Sequence, residues 1–297
     1  MGLKKTFYGA ARLLWLALVF GAWVSLDQGY TEPWLSFSDI PGGSEGAVAI
    51  GIAAGLVGYL LISVLHRGAE HAEWEKTGQQ AGLRPGGDAG DTSGPALTGT
   101  VDGRTVTASY DKRKKSSGGQ GSTRVMFTLC EADLAGPTDQ GVVVGRAGST
   151  VDAGVGTIDF DEMAETVSAA DGLVAAEAGG LVVLGTSPAA VEAVADGSSG
   201  DALRAVRGLE IAAVGDAAGI VGRWAEARNA ELEAAGNSVG QHRVDNLVER
   251  VPGDPATVTV ETRGSIRNGD VLRRFAEGAV ATADAFEGAT DHTPPVE

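Results

Sequence analysis

Cysteine is almost missing from this chain: Cys130 is the one thiol in 297 residues, so no internal disulfide can staple the fold. Histidine is nearly as scarce, with four residues, and only six of the 23 basic side chains are lysine. Positive charge is in deficit, since 39 Asp and Glu bring the formal net charge to −16. A nucleic-acid binder meets phosphate with a basic face, so that balance argues against a nucleic-acid partner. Cofactor and metal signatures are also missing. No G-x-x-x-x-G-K-[ST] phosphate loop occurs, and Gly154-Val155-Gly156 lacks the third glycine of a dinucleotide fingerprint. His66 and Glu70 stand four residues apart with His71 adjacent, which falls short of the ligand set of a zinc site. No cofactor and no metal are therefore expected.

What is present begins with grease. Residues 1–65 hold nine of the aromatic side chains and only Lys4, Lys5 and Arg12 as cations. Two apolar runs lie here, about 7–26 and 46–65, and the second carries no charge at all. At 1.5 Å per residue, a 20-residue helix spans ~30 Å, the thickness of a bilayer core. Both runs are expected to span, as a helical hairpin inserted in a lipid bilayer. A cleaved signal peptide is the rival reading of the first run, but Trp23-Val24-Ser25-Leu26 is bulky where an A-x-A site needs small residues.

Cations set the expected orientation. Lys4, Lys5 and Arg12 flank the first run, the 27–45 connection has none, and Arg67, Lys76 and Arg84 follow the second. The positive-inside rule then puts both termini in the cytoplasm, making a multi-pass cell-membrane protein with a cytoplasmic domain. Ala47, Gly51 and Gly55 recur every fourth residue in the second run, a small-residue stripe that can pack the two spans together or dimerise two chains.

Residues 66–96 read as a juxtamembrane helix followed by a Gly-rich linker, with the folded body at 97–288 and a frayed tail at 289–297. Asp102-Gly103 between 97–101 and 104–110 predicts a tight hairpin, because both turn positions tolerate positive φ. Further strands are expected at 123–130, 141–144, 181–184, 209–214 and 257–263. Helices are expected at 189–195 behind Ser187-Pro188, at 201–207, at 225–235, and at 270–286 with Asp270 as its cap. In that last stretch Leu272, Phe275, Ala279, Ala283 and Phe286 share one face. The fold class is α+β: the transmembrane hairpin, a mainly antiparallel sheet and a closing C-terminal amphipathic helix.

Three further segments carry chemistry on paper. Lys112, Arg113, Lys114 and Lys115 gather four cations in what reads as a loop, a candidate interaction site for anionic headgroups or a solvated turn. Gly118-Gly119-Gln120, just beyond, resembles the tripeptide with which class I peptide-release factors position water for ester hydrolysis; nothing else in the chain is similar to such a factor. Gly236-Asn237-Ser238-Val239-Gly240 spells a nucleophile elbow with His242 nearby, yet the preceding 231–235 reads as helix where that chemistry needs a strand. Cys130 ends an apolar strand pattern and reads as a buried small hydrophobe.

The Arg-rich, Lys-poor, acidic composition resembles that of proteins from extremely halophilic archaea. With the Asp102-Gly103 hairpin, the Phe160-Asp161-Glu162 segment and the closing helix, the chain is similar to uncharacterised two-span membrane proteins of those organisms. That resemblance implies a salt-adapted surface and no particular activity. The expected function is a membrane-anchored, non-enzymatic module that recruits or scaffolds a protein partner at the inner membrane face. The alternatives are an accessory subunit of a larger membrane complex, or a hydrolase using the Gly118–Gln120 loop or Ser238.

Overall fold

The computed structural model describes residues 2–27, 43–86, 94–116, 122–154, 156–167 and 172–290. They form two units, Met1–Glu73 and Trp74–Glu297. The first unit is an antiparallel pair of helices, α1 (Gly2–Asp27) and the front of α2 (Gly43–Gln80). Aromatic side chains make the seam. The Trp15 indole N–H donates to the Ala54 carbonyl at 3.2 Å, the Arg12 guanidinium lies 5.1 Å from the Tyr59 ring, and Tyr8 meets His66 edge to face at 4.8 Å.

Of the two spans expected, one helix among the described residues is long and apolar enough to cross a membrane: Ala49–Gln80, with mean hydropathy 2.0 over its best window and 11% of that window buried. The described apolar stretch of α1 is Phe7–Phe20, shorter than the ~20 residues a bilayer core demands. The paired helices are thus observed, and among the described residues α2 alone meets the spanning length.

The second unit starts earlier than the expected 97. Trp74, in the last turns of α2, is buried, donates its indole N–H to the Pro95 carbonyl at 2.9 Å and packs edge-on against Tyr110. Leu83 is buried too, and the two-residue strand β1 (Arg84–Pro85) pairs inside the segment read as linker. A lone tryptophan in a polar helix has no local reason to be buried; its partners come from the sheet.

Among the described residues that sheet has nine strands, and every neighbouring pair is antiparallel. β2 (Leu97–Val101) and β3 (Arg104–Ser116) turn through Asp102 and Gly103, whose φ values of 48° and 88° confirm the positive-φ turn. β4 (Ser122–Asp133), β5 (Gly141–Arg146), β8 (Val174–Ala178), β9 (Leu181–Gly185), β10 (Leu209–Gly215) and β11 (Thr257–Arg263) complete it, in the order β1-β2-β3-β4-β11-β10-β5-β9-β8. A separate ribbon joins β6 (Thr150–Asp152) to β7 (Thr157–Asp159).

Alternation along the central strands builds two cores. Val142, Val144, Ala212 and Val214 face one way, onto α4 (Pro188–Ala195), α5 (Gly197–Ala205) and α8 (Gly269–Thr290). Val143, Ile211 and Ala213 face the other, towards α3 (Phe160–Val167), α6 (Ala217–Ala234) and α7 (Ser238–Arg250). Leu272, Phe275, Ala279, Ala283 and Phe286 are all buried, as the C-terminal periodicity predicts. The cap of α8 differs from expectation: Asn268, not Asp270, accepts the backbone N–H groups of Asp270 and Val271, at 2.9 and 3.1 Å. The helix continues through Thr290, so the frayed tail does not begin at 289, and 291–297 lie outside the described residues.

Candidate functional site

The basic run is not a loop. Lys112, Arg113, Lys114 and Lys115 all lie within β3, where they pair with Met126, Val125, Arg124 and Thr123 of β4. Residues 117–121, between β3 and β4 in the chain, lie outside the described residues, and Gly118-Gly119-Gln120 with them. The Lys112 ammonium sits 5.7 Å from the Tyr110 ring. The side chains of Lys114 and Lys115 are outside the described set.

Arg113 is built into the sheet. Its two terminal nitrogens donate to Glu261 at 2.7 and 2.6 Å, its Nε donates to Asp111 at 2.9 Å, and the guanidinium stacks 4.6 Å from the Phe127 ring. Glu261 is buried. Burial works against the Arg113 charge, but the Glu261 carboxylate and the bonds to Glu261 and Asp111 outweigh it and hold the guanidinium above its ordinary value. A cation with all three guanidinium nitrogens engaged this way is a structural member of the sheet rather than a contact for headgroups.

A second ionic chain follows on the same side. Arg263 approaches Glu210 at 3.3 Å, Glu210 accepts the Asp152 backbone N–H at 2.7 Å, and Asp152 accepts from Arg250 at 3.0 Å. Burial pushes the Glu210 carboxyl up, opposed by the Asp152 N–H and by Arg263. Glu131 differs, because no cation pairs with it among the described residues; burial raises its carboxyl first, and Asp254 and Asp133 add to it. Burial likewise pushes the Cys130 thiol up, as expected of an inert hydrophobe.

The small-residue stripe sits differently from its sequence reading. A Cβ on Gly58 would overlap the Trp15 indole, so the close approach of the helices falls there. Gly55 is 4.0 Å from Leu16 by the same measure, and Gly51 has open space. The side chain of Ala47 is outside the described residues. Beside this seam an apolar groove of about 540 Å³ runs between the helices, lined by Leu16, Phe20, Gly51, Gly55 and Leu56.

Ser238 opens α7, with Asn237 as its cap and α6 before it. A helix enters this turn where a nucleophile elbow requires a strand, and Ser238 and His242 are both exposed. His66 lies 3.9 Å from Glu70 within one helix. Among the described residues no three His, Cys, Asp or Glu side chains gather as a metal site.

The feature that sequence reasoning missed is a cleft between α5 and α8, about 240 Å³, whose rim carries Arg207 and Arg274. Its signal is faint in sequence, because the two cations stand 67 positions apart and meet only through the fold.

Comparison with known proteins adds little. No family model and no curated protein matches the chain. Among solved structures, the crystal structure of the mycobacterial trehalose monomycolate transport factor A is similar over 76% of this chain and 97% of that one, at 10% identity and a TM-score of 0.38. A likeness so loose carries no argument about fold or role.

Proposed function

We propose that this chain is a membrane-anchored, non-enzymatic module that recruits a protein partner to the inner face of the membrane. One observation carries the reading: the large exposed apolar side chains are concentrated between Phe7 and Leu65, and in the second unit, among the described residues, they are Val239 and Val271 alone. A water-exposed surface does not keep such a band uncovered, and lipid is its natural cover. In this reading α1 and α2 enter the bilayer together as a hairpin, with Arg12 reaching the headgroups. Both termini then lie in the cytoplasm, where Lys4, Lys5, Arg67, Lys76 and Arg84 satisfy the positive-inside rule.

The test uses the full chain, solubilised in mild detergent and used as bait at high salt. A reproducible partner supports recruitment, and none across repeated captures overturns it. Truncation at Leu97 is unsuitable, since it removes buried Trp74 and Leu83.

The apolar groove between α1 and α2 favours a second reading, an accessory subunit of a larger membrane complex, because another helix can lie in it. Gly51→Leu fills that groove. Release of the protein from a stable assembly in detergent supports this reading, and unchanged assembly counts against it.

A further inference from the structure

The recruitment reading leaves open where a partner would dock, and the α5–α8 cleft offers the chemistry. Its walls are apolar, with Val206 and Phe275 buried, Ile266 half-buried and Val271 at the mouth 46% exposed. Val271 is therefore one of the two large apolar side chains that the second unit leaves in water among its described residues. At about 240 Å³ the cleft is smaller than the ~300–1,000 Å³ of sites that enclose a small molecule, and it suits one bulky side chain inserted as an anchor.

The rim supplies the second part of the specificity. Arg207 and Arg274 are exposed, and neither has a carboxylate within ion-pair distance among the described residues. Arg104, Arg113, Arg250 and Arg263 each hold one. The turn bearing Arg207 is fixed from below, since the Thr262 hydroxyl donates to the carbonyls of Arg207 and Gly208 at 2.8 and 2.9 Å. On a chain of net charge −16, two exposed guanidiniums flank this apolar slot. An acidic segment is attracted to such a pair of cations.

We propose that this cleft binds an acidic peptide segment of the recruited protein, with one bulky apolar side chain seated between α5 and α8 and flanking carboxylates on Arg207 and Arg274. This assignment rests on the recruitment reading and locates its surface.

The experiment measures fluorescence polarisation with full-length protein in detergent micelles. The probe is a fluorescein-labelled hexapeptide, Glu-Asp-Glu-Phe-Asp-Glu, compared with versions in which alanine replaces the phenylalanine or lysine replaces every acid. Saturable binding is expected, weakened about tenfold or more by Arg207→Glu with Arg274→Glu, and similarly by loss of the phenylalanine. Arg273→Glu with Glu277→Arg, which reverses an exposed pair on α8 outside the cleft, leaves binding unchanged. Thermal unfolding of each variant separates lost binding from lost folding.

Absence of saturable binding overturns the proposal, as does binding indifferent to the Arg207 and Arg274 changes or equal binding of the lysine peptide. Oleate binding that needs both arginines, without peptide binding, assigns the cleft to an anionic amphiphile instead. Recruitment is scored separately. A partner captured by the wild-type chain and equally by the Arg207→Glu, Arg274→Glu variant leaves recruitment standing and removes the cleft from it, whereas no partner from the wild-type chain overturns recruitment.

Discussion

Arg113 and Glu131 sit on neighbouring strands and experience opposite electrostatics. Arg113 satisfies the buried Glu261 through a bidentate pair, so removing it strands a carboxylate inside the sheet. Arg113→Ala is expected to lose about 3 kcal/mol of stability, read as a lowered midpoint in chemical denaturation. A much smaller loss would show that the pair contributes little. Glu131 meets burial and two acids, with no cation paired to it among the described residues. Its proton is held more tightly in the folded state than in the unfolded one, so its favourable contribution is complete below the ordinary carboxylate range and is lost as pH rises through the raised value. Glu131→Gln is therefore expected to melt higher than wild type at neutral pH, with the difference closing as pH falls toward that range. A variant less stable than wild type at neutral pH contradicts the assignment.

Among the elements, the helix pair is the most sensitive to single positions. Gly58→Leu drives a side chain into the Trp15 indole and is expected to separate α1 from α2, whereas Gly51→Leu meets open space and leaves the pair intact. A cysteine cross-link between the helices, formed in the Gly51 variant and lost in the Gly58 variant, checks this, and equal cross-linking of both sinks it. The same contrast marks what sequence can reveal. The spacing of Ala47, Gly51 and Gly55 announces a close helix contact, but only the location of Trp15 decides which glycine makes it. Local chemistry made the Asp102-Gly103 hairpin, β11 and the buried face of α8 legible, since turn residues and apolar periodicity suffice there. The α7 helix escaped because only Val244 and Leu247 of its residues are buried, too narrow a stripe to read. β8 escaped because Val174–Ala178 is mostly alanine around one glutamate, too weakly apolar to read on its own, and its pairing to β9 turns through Gly179 and Gly180. The basic run escaped as a strand because its charge suggested solvent, and the residue that buries Arg113 lies 148 positions away. The cleft was invisible for the same reason.

At the scale of the whole molecule, charge and grease make separate demands. A net charge of −16 repels itself at low ionic strength, and the repulsion is screened as the Debye length falls to ~3 Å near 1 M salt. The second unit is accordingly expected to melt at higher temperature as sodium chloride rises; a melting temperature indifferent to salt contradicts a charge-limited fold. The apolar surface between Phe7 and Leu65 asks for a bilayer, and everything proposed about recruitment depends on that demand being met. The most direct measurement is fractionation of cells expressing the full chain, followed by alkaline carbonate washing of the membranes. The account predicts that the protein stays in the washed membrane pellet and is released by detergent. Recovery of the intact chain in the carbonate supernatant, or in the soluble fraction before washing, would contradict it.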